Sequence, residues 1–146
     1  MTTETLRPAT TTTTTNSTYG LSGVTVSAVR AVVSFLFVCH GLQGFGFFGG
    51  IDGAGAAVPF GVWPGWWASA IELVAGALVL LGVATRSAAV LCSGTMAFAY
   101  FTVHQSLALL PLQNMGEPAA LYSWIFLLIA VLGPGSVTVA TVLRRR

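Results

Sequence analysis

The chain has 146 residues, 55% of them hydrophobic and only 7% charged, with a mean hydropathy of +0.83. Soluble domains carry about 25% charged residues, so this composition excludes an ordinary water-soluble domain and marks an integral membrane protein. The formal net charge of +2 is too small, and too localised at the C-terminus, for a nucleic-acid partner, and there is no lysine.

Residues 1–20 are polar and of low complexity, with a threonine run from Thr10 to Thr15. They cannot bury enough apolar surface to order themselves and are read as a disordered cytoplasmic tail. They lack the charged start of a signal peptide, and the apolar run that follows is too long for a cleaved one, so it is retained as an anchor. Asn16-Ser17-Thr18 matches a glycosylation sequon, which an inward-facing N-terminus leaves unused.

The first predicted span covers about 24–45, with Arg30 near its start and His40 near its end. Arg30 is expected to snorkel to the cytoplasmic interface. A glycine-rich connection follows, holding Asp52 as a solvated loop acid and ending in Val62-Trp63-Pro64-Gly65-Trp66-Trp67. These tryptophans suit the headgroup level of a bilayer. The second span, 66–83, contains Glu72 and no other charge, and Ala84-Thr85-Arg86-Ser87 leaves room only for a tight antiparallel turn. The third span runs over 87–110 to a stop at Pro111, and the fourth over 117–132 to Gly133-Pro134-Gly135. Before the fourth, Asn114-Met115-Gly116-Glu117 reads as a capping box with Asn114 as N-cap and Glu117 at N3. Residues 138–146 form a basic cytoplasmic tail. Spans of about 20 residues suit a 30 Å hydrocarbon core. The expected architecture is therefore all-α: one domain over 21–137, an integral membrane four-helix up-and-down bundle.

Orientation follows the arginines, because cytoplasmic loops collect them. Arg7, Arg86 and Arg144 to Arg146 fall on the side of the termini, while the opposite side holds Asp52 and Glu117. Both termini are expected in the cytoplasm. Cys39 and Cys92 lie in apolar runs at different depths, without metal or redox spacing, and read as inert thiols.

An acid within a span costs about 2.5 to 3.5 kcal/mol on translocon scales unless it is paired or faces a wet cavity. At 1.5 Å per residue, Glu72 lies about 9 Å in from Trp66, and His40 and His104 lie at similar depths from their own span ends. Ser69, Glu72 and Gly76 share one helical face, as do Ser93, Ala97, Tyr100 and His104. Small and polar stripes of this kind face other helices. Several readings stay open. Glu72 is a ligand or proton group, or a structural carboxylate bonded to Tyr100 or a histidine. The histidines are site residues or packing residues; a haem between them is not expected. Glu117 is a site residue or only a helix cap. No metal site is expected.

With these residues in place the chain resembles the DoxX family of small four-helix membrane proteins. The resemblance is carried by Arg30, by Phe37-Val38-Cys39-His40-Gly41-Leu42-Gln43, and by Glu72 with Gly76 and Leu81-Gly82-Val83-Ala84-Thr85-Arg86. His104, Asn114-Met115-Gly116-Glu117 and Gly133-Pro134-Gly135 complete it. One departure is Gly44, where the family often has a lysine. The resemblance implies a multi-pass bacterial plasma-membrane protein and protein partners in a membrane redox or oxidative-stress complex. It further implies an accessory or quinone-proximal role, at most that of a subunit of a quinone-linked oxidoreductase. The candidate polar or quinone pocket comprises His40, Gln43, Glu72, Tyr100, His104 and Glu117. No covalently bound cofactor is expected; quinone is the one that the resemblance admits. The alternative is a non-catalytic scaffold or assembly subunit. A small transporter or proton pathway fits less well, because no internal repeat is visible.

Overall fold

The computed structural model describes residues 20–144. Apart from Gly20, the expected disordered tail and its sequon lie outside the described residues, as do the last two arginines. Five α-helices are present among them: α1 (Leu21–Gly44), α2 (Gly65–Leu81), α3 (Thr85–Ala99), α4 (Glu117–Leu132) and α5 (Val139–Leu143). A 3-10 turn, Phe47–Gly49, follows α1, and a π turn, Tyr100–His104, continues α3. The described residues contain no strand, only an isolated bridge between Gly50 and Ala56.

By length and composition α1, at 24 residues, is the one described helix long and apolar enough to cross a membrane; α2 and α4 are apolar but shorter, at 17 and 16 residues. The exposed surface is greasy throughout. Val32, Phe35 and Leu36 of α1, Val74 of α2, Val90 and Leu91 of α3, and Trp124, Leu128 and Val131 of α4 are all exposed. A continuous apolar exterior of this extent is the mark of a surface that meets lipid or a partner and not water.

α1 packs along α2, α3 along α4, and the pairs meet through α2 and α3. Phe37 and Phe126, both fully buried, bring α1 to α4 with ring centroids 4.6 Å apart, and Tyr122 lies 5.3 Å from Phe37. The α1–α2 seam is unusually close because it is lined with small residues. A Cβ on Gly41 would come within 2.8 Å of the Leu73 amide nitrogen, and one on Gly76 within 3.1 Å of Val38. Gly82 ends α2 at φ +75°, where its amide and that of Val83 return to the carbonyls of Val79 and Leu78. This left-handed cap, easy for glycine, turns the chain into α3.

Three expectations are corrected. Arg30 does not snorkel: it is 3% exposed and donates to the carbonyls of Val79, Leu80, Pro134 and Val137. The last carbonyls of a helix lack intrahelical donors and carry partial negative charge, so the guanidinium serves the end of α2 and the turn after α4. Arg86 treats α4 likewise through Ala130 and Val131. The third helix does not reach Leu110; it ends through the π turn at His104. Beyond it, Asn114 Nδ2 donates to the Ala108 carbonyl at 2.9 Å and folds residues 105–116 into a compact loop. The capping box is not formed. Its N-cap position is taken by Gly116, and Met115 at φ +56° separates the fully buried Asn114 from α4, with Asn114 Oδ1 accepting from the Gly116 amide.

Asp52 is more than a solvated acid. Its Oδ1 accepts from the amides of Ala54 at 2.8 Å and Ala56 at 3.0 Å, closing the loop beside the Gly50–Ala56 bridge. These two bonds to its charged form hold the Asp52 carboxyl below the ordinary carboxylate range. Both cysteines are free.

Candidate functional site

Glu72 sits on the buried face of α2 with Ser69, Ala75, Gly76 and Val79. Opposite it on α1 stands Gly41, where a side chain would lie 3.0 Å from the Glu72 Cβ. The missing side chain lets the acid lie flat against α1 and reach His40: Glu72 Oε2 and His40 Nδ1 are 2.8 Å apart. The two members differ in surroundings. The Glu72 side chain is 4% exposed and that of His40 is 61% exposed. The buried carboxylate thus has one partly open hydrogen-bonding neighbour in His40. Charge-assisted bonds of this length are among the stronger polar contacts.

Behind the pair opens a cavity of about 810 Å³, within the range of small-molecule sites. His40, Gln43, Ser69 and Glu72 line it from α1 and α2; Met96 and Ala99 from α3; His104 from the π turn; and Met115, Pro118 and Tyr122 from the far side. Apolar side chains dominate its walls. His104 Nδ1 lies 3.0 Å from the Asn114 carbonyl. A carbonyl only accepts, so Nδ1 is the donor in this contact. The π turn has a part in this, since it re-aims the end of α3; such bulges recur at functional sites. A second cavity of about 580 Å³ at the arginine end has Arg30 in its wall, a guanidinium already committed to four carbonyls.

Four of the six residues singled out from the sequence, His40, Gln43, Glu72 and His104, line this one cavity. Two do not. Tyr100 packs at the edge of the hydrophobic core and against the backbone of Gly116, where a Cβ would lie 2.8 Å from its ring. Glu117 opens α4 and is exposed. Sequence reading missed Tyr122, Met96 and Met115. Tyr122 carried a usable signal, because it lies about 7.5 Å into α4 at 1.5 Å per residue, close to the depth of Glu72 in α2.

A family model described as DoxX matches residues 25–105, just over half of the chain. A protein of Haemophilus influenzae (strain Rd), described as uncharacterized, is 38% identical over 116 residues, covering 74% of this chain and 82% of its own length. No solved structure matches the chain.

Proposed function

The chain belongs to the DoxX family, whose members are associated with membranes, and from that premise we propose that it is a quinone-proximal accessory subunit of a plasma-membrane redox complex. In this reading α1 to α4 cross the bilayer up and down, and both termini face the cytoplasm. The short α2 and α4, about 24 to 26 Å at 1.5 Å per residue, suit a slightly thinned bilayer. Arg30 and Arg86 lie at the inner end, and the Trp63, Trp66 and Trp67 cluster at the outer headgroups.

The observation that carries the reading is the buried Glu72 bonded to the partly open His40 at the wall of a largely apolar cavity. Its volume and residues fit a quinone headgroup. Gln43 could donate to a ring oxygen, and the Nε2 atoms of His40 and His104 could accept from its reduced hydroxyls. When bound, a quinone would supply two-electron, two-proton redox chemistry, with the electrons exchanged by a partner oxidoreductase. The chain's own contribution is to orient the headgroup and to move protons. With Nδ1–H donated to the Glu72 carboxylate, His40 can take a proton at Nε2 and pass its Nδ1 proton to Glu72 without either side chain moving, as a general base requires. To test this, the chain is purified with its complex, and quinone content and quinol turnover are measured in wild type and Glu72→Gln. Lower turnover in the variant is expected. Unchanged content and turnover would remove the quinone site.

A scaffold role is the second reading, favoured by the outer loop, where Phe47, Phe48, Phe60 and Trp63 are all exposed. An apolar, aromatic loop of this kind suits a partner's membrane-level surface. A stoichiometric partner that stays bound in Glu72→Ala, with turnover unaffected, would favour it.

A further inference from the structure

We propose that the flank between α2 and α3 is a lateral portal by which a membrane-dissolved amphiphile, with a neutral polar head and an apolar tail, enters the His40–Glu72 cavity, and that Gly94 keeps it open. The proposal rests on reading that cavity as a ligand site, and adds the route and the residue that admits the tail.

Gly94 differs from the helical glycines of the α1–α2 seam. A Cβ on Gly41, Gly44 or Gly76 would run into the neighbouring helix, whereas one on Gly94 would meet nothing within 4 Å. Yet Gly94 is part of the cavity wall and is itself exposed. The helices therefore do not close on each other here, and the cavity reaches the outside at this point. Its level is also right. Glu72 stands nine residues before the end of α2 and Gly94 nine residues after the start of α3, each about 13 to 14 Å from the arginine end at 1.5 Å per residue. The opening thus lies across from the acid.

The flank is built for a hydrocarbon chain. Ala68 and Ile71 of α2 and Leu91 of α3 line it, and Leu91 is half exposed to the apolar exterior. At the outer end Trp63 of the connecting loop meets Phe98 of α3 edge-on, with centroids 5.7 Å apart, and closes the top of the flank. A ligand arriving from the side keeps its tail among lipid while its head passes inward to Glu72, His40 and His104. The head is neutral, because an anion would face the Glu72 carboxylate.

The test uses the full chain in lipid nanodiscs and two probes, a quinone with a long isoprenoid tail and a tail-less benzoquinone, with binding read by quenching of tryptophan fluorescence. In Gly94→Phe the long-tailed probe is expected to bind at least tenfold more weakly and the tail-less probe as in wild type. Gly94→Ala, whose Cβ falls in open space, should bind both normally and controls for folding. Leu91→Trp, on the same wall, should repeat the loss for the long-tailed probe. Wild-type binding of the long-tailed probe in both Gly94→Phe and Leu91→Trp would overturn the portal while leaving the site intact. Equal loss of both probes would make Gly94 part of the site's own packing and would also overturn it. Failure of wild type to bind either probe would defeat the ligand site itself, and the portal with it.

Discussion

Gly44 of α1 and Ser69 of α2 stand so close that a Cβ on Gly44 would lie 1.9 Å from the Ser69 hydroxyl oxygen. The seam at this point is backbone against side chain, with Ser69 Oγ turned back to the Gly65 carbonyl at 3.1 Å. A lysine at this place would not fit the present helix spacing. Two elements that fix the site, the Gly41 gap and the His40–Glu72 bond, depend on that spacing.

Gly44→Ala should therefore destabilise the protein by about 1 to 3 kcal/mol, the usual cost of overpacking, and Gly44→Lys by at least as much. Since the clash is with one side chain, Ser69→Gly should recover much of the loss. Thermal unfolding in detergent of the two single variants and the double variant measures the coupling. Additive losses would show that the two residues do not meet.

Arg30 is a second point of leverage. It joins α1 to the end of α2 and to the segment after α4, at two pairs of carbonyls distant from each other in sequence. Arg30→Ala takes the side-chain donor from the Leu80, Pro134 and Val137 carbonyls, while the Val79 carbonyl keeps the Gly82 amide. Each charge-assisted bond is worth about 1.5 to 3 kcal/mol, but the four share one side chain and do not add. A loss of about 3 kcal/mol or more is expected, with Arg30→Lys intermediate because an ammonium lacks the planar fork. Thermal melts of both variants, compared with an exposed control such as Thr25→Ala, would check it.

How far the sequence disclosed these arrangements depended on what kind of information each needs. The apolar runs and their punctuation by glycine and proline outlined the four long helices, because hydropathy and helix breakers are local. Counting at a fixed rise put His40, Glu72 and His104 at similar depths, and all three line the one cavity. Rotation was not, and it is rotation that brought His40 to Glu72 while turning Tyr100 toward Gly116. Arg30 was misread because its position near a span end suits snorkelling, and only the folded chain shows the carbonyls it meets. The capping box failed for a similar reason: Asn114 found nearer partners in Ala108 and Gly116 than the helix its sequence pattern suggested.

The Asp52 loop should respond to acid. With its folded carboxyl held below the ordinary value of 3.8 by the Ala54 and Ala56 amides, its contribution is present at and above the unfolded value. It is lost as pH falls through the lower, folded value. The 46–64 loop should therefore loosen only in strong acid, below about pH 4, and keep its order across the neutral range. Hydrogen exchange at the Ala54 and Ala56 amides is the direct readout. Asp52→Ala should raise exchange at both sites already at pH 7, and Asp52→Asn, which keeps an acceptor oxygen, should do so less. Equal protection in Asp52→Ala would separate the loop's order from this carboxylate.

Glu72 offers a way to separate chemistry from support. Glu72→Gln keeps the size of the side chain and an oxygen that can accept from His40 Nδ1, so stability should change by about 1 kcal/mol or less, the net value of one hydrogen bond. The amide cannot take up or release the proton that the carboxylate can. In a complex whose quinol turnover depends on this pair, turnover should drop about 100-fold, the lower end of what a positioned acid–base group supplies. Glu72→Leu sharpens the contrast. Replacing a buried polar pair by an apolar residue of similar volume is often neutral for folding, and His40, with its side chain 61% exposed, can find water once its partner is gone. Glu72→Leu should thus fold and assemble while turning over no better than Glu72→Gln. If Glu72→Leu instead loses its partner proteins in step with its melting temperature, Glu72 acts as support and the proton role falls. If both variants assemble and turn over like wild type, the pair is dispensable for either purpose.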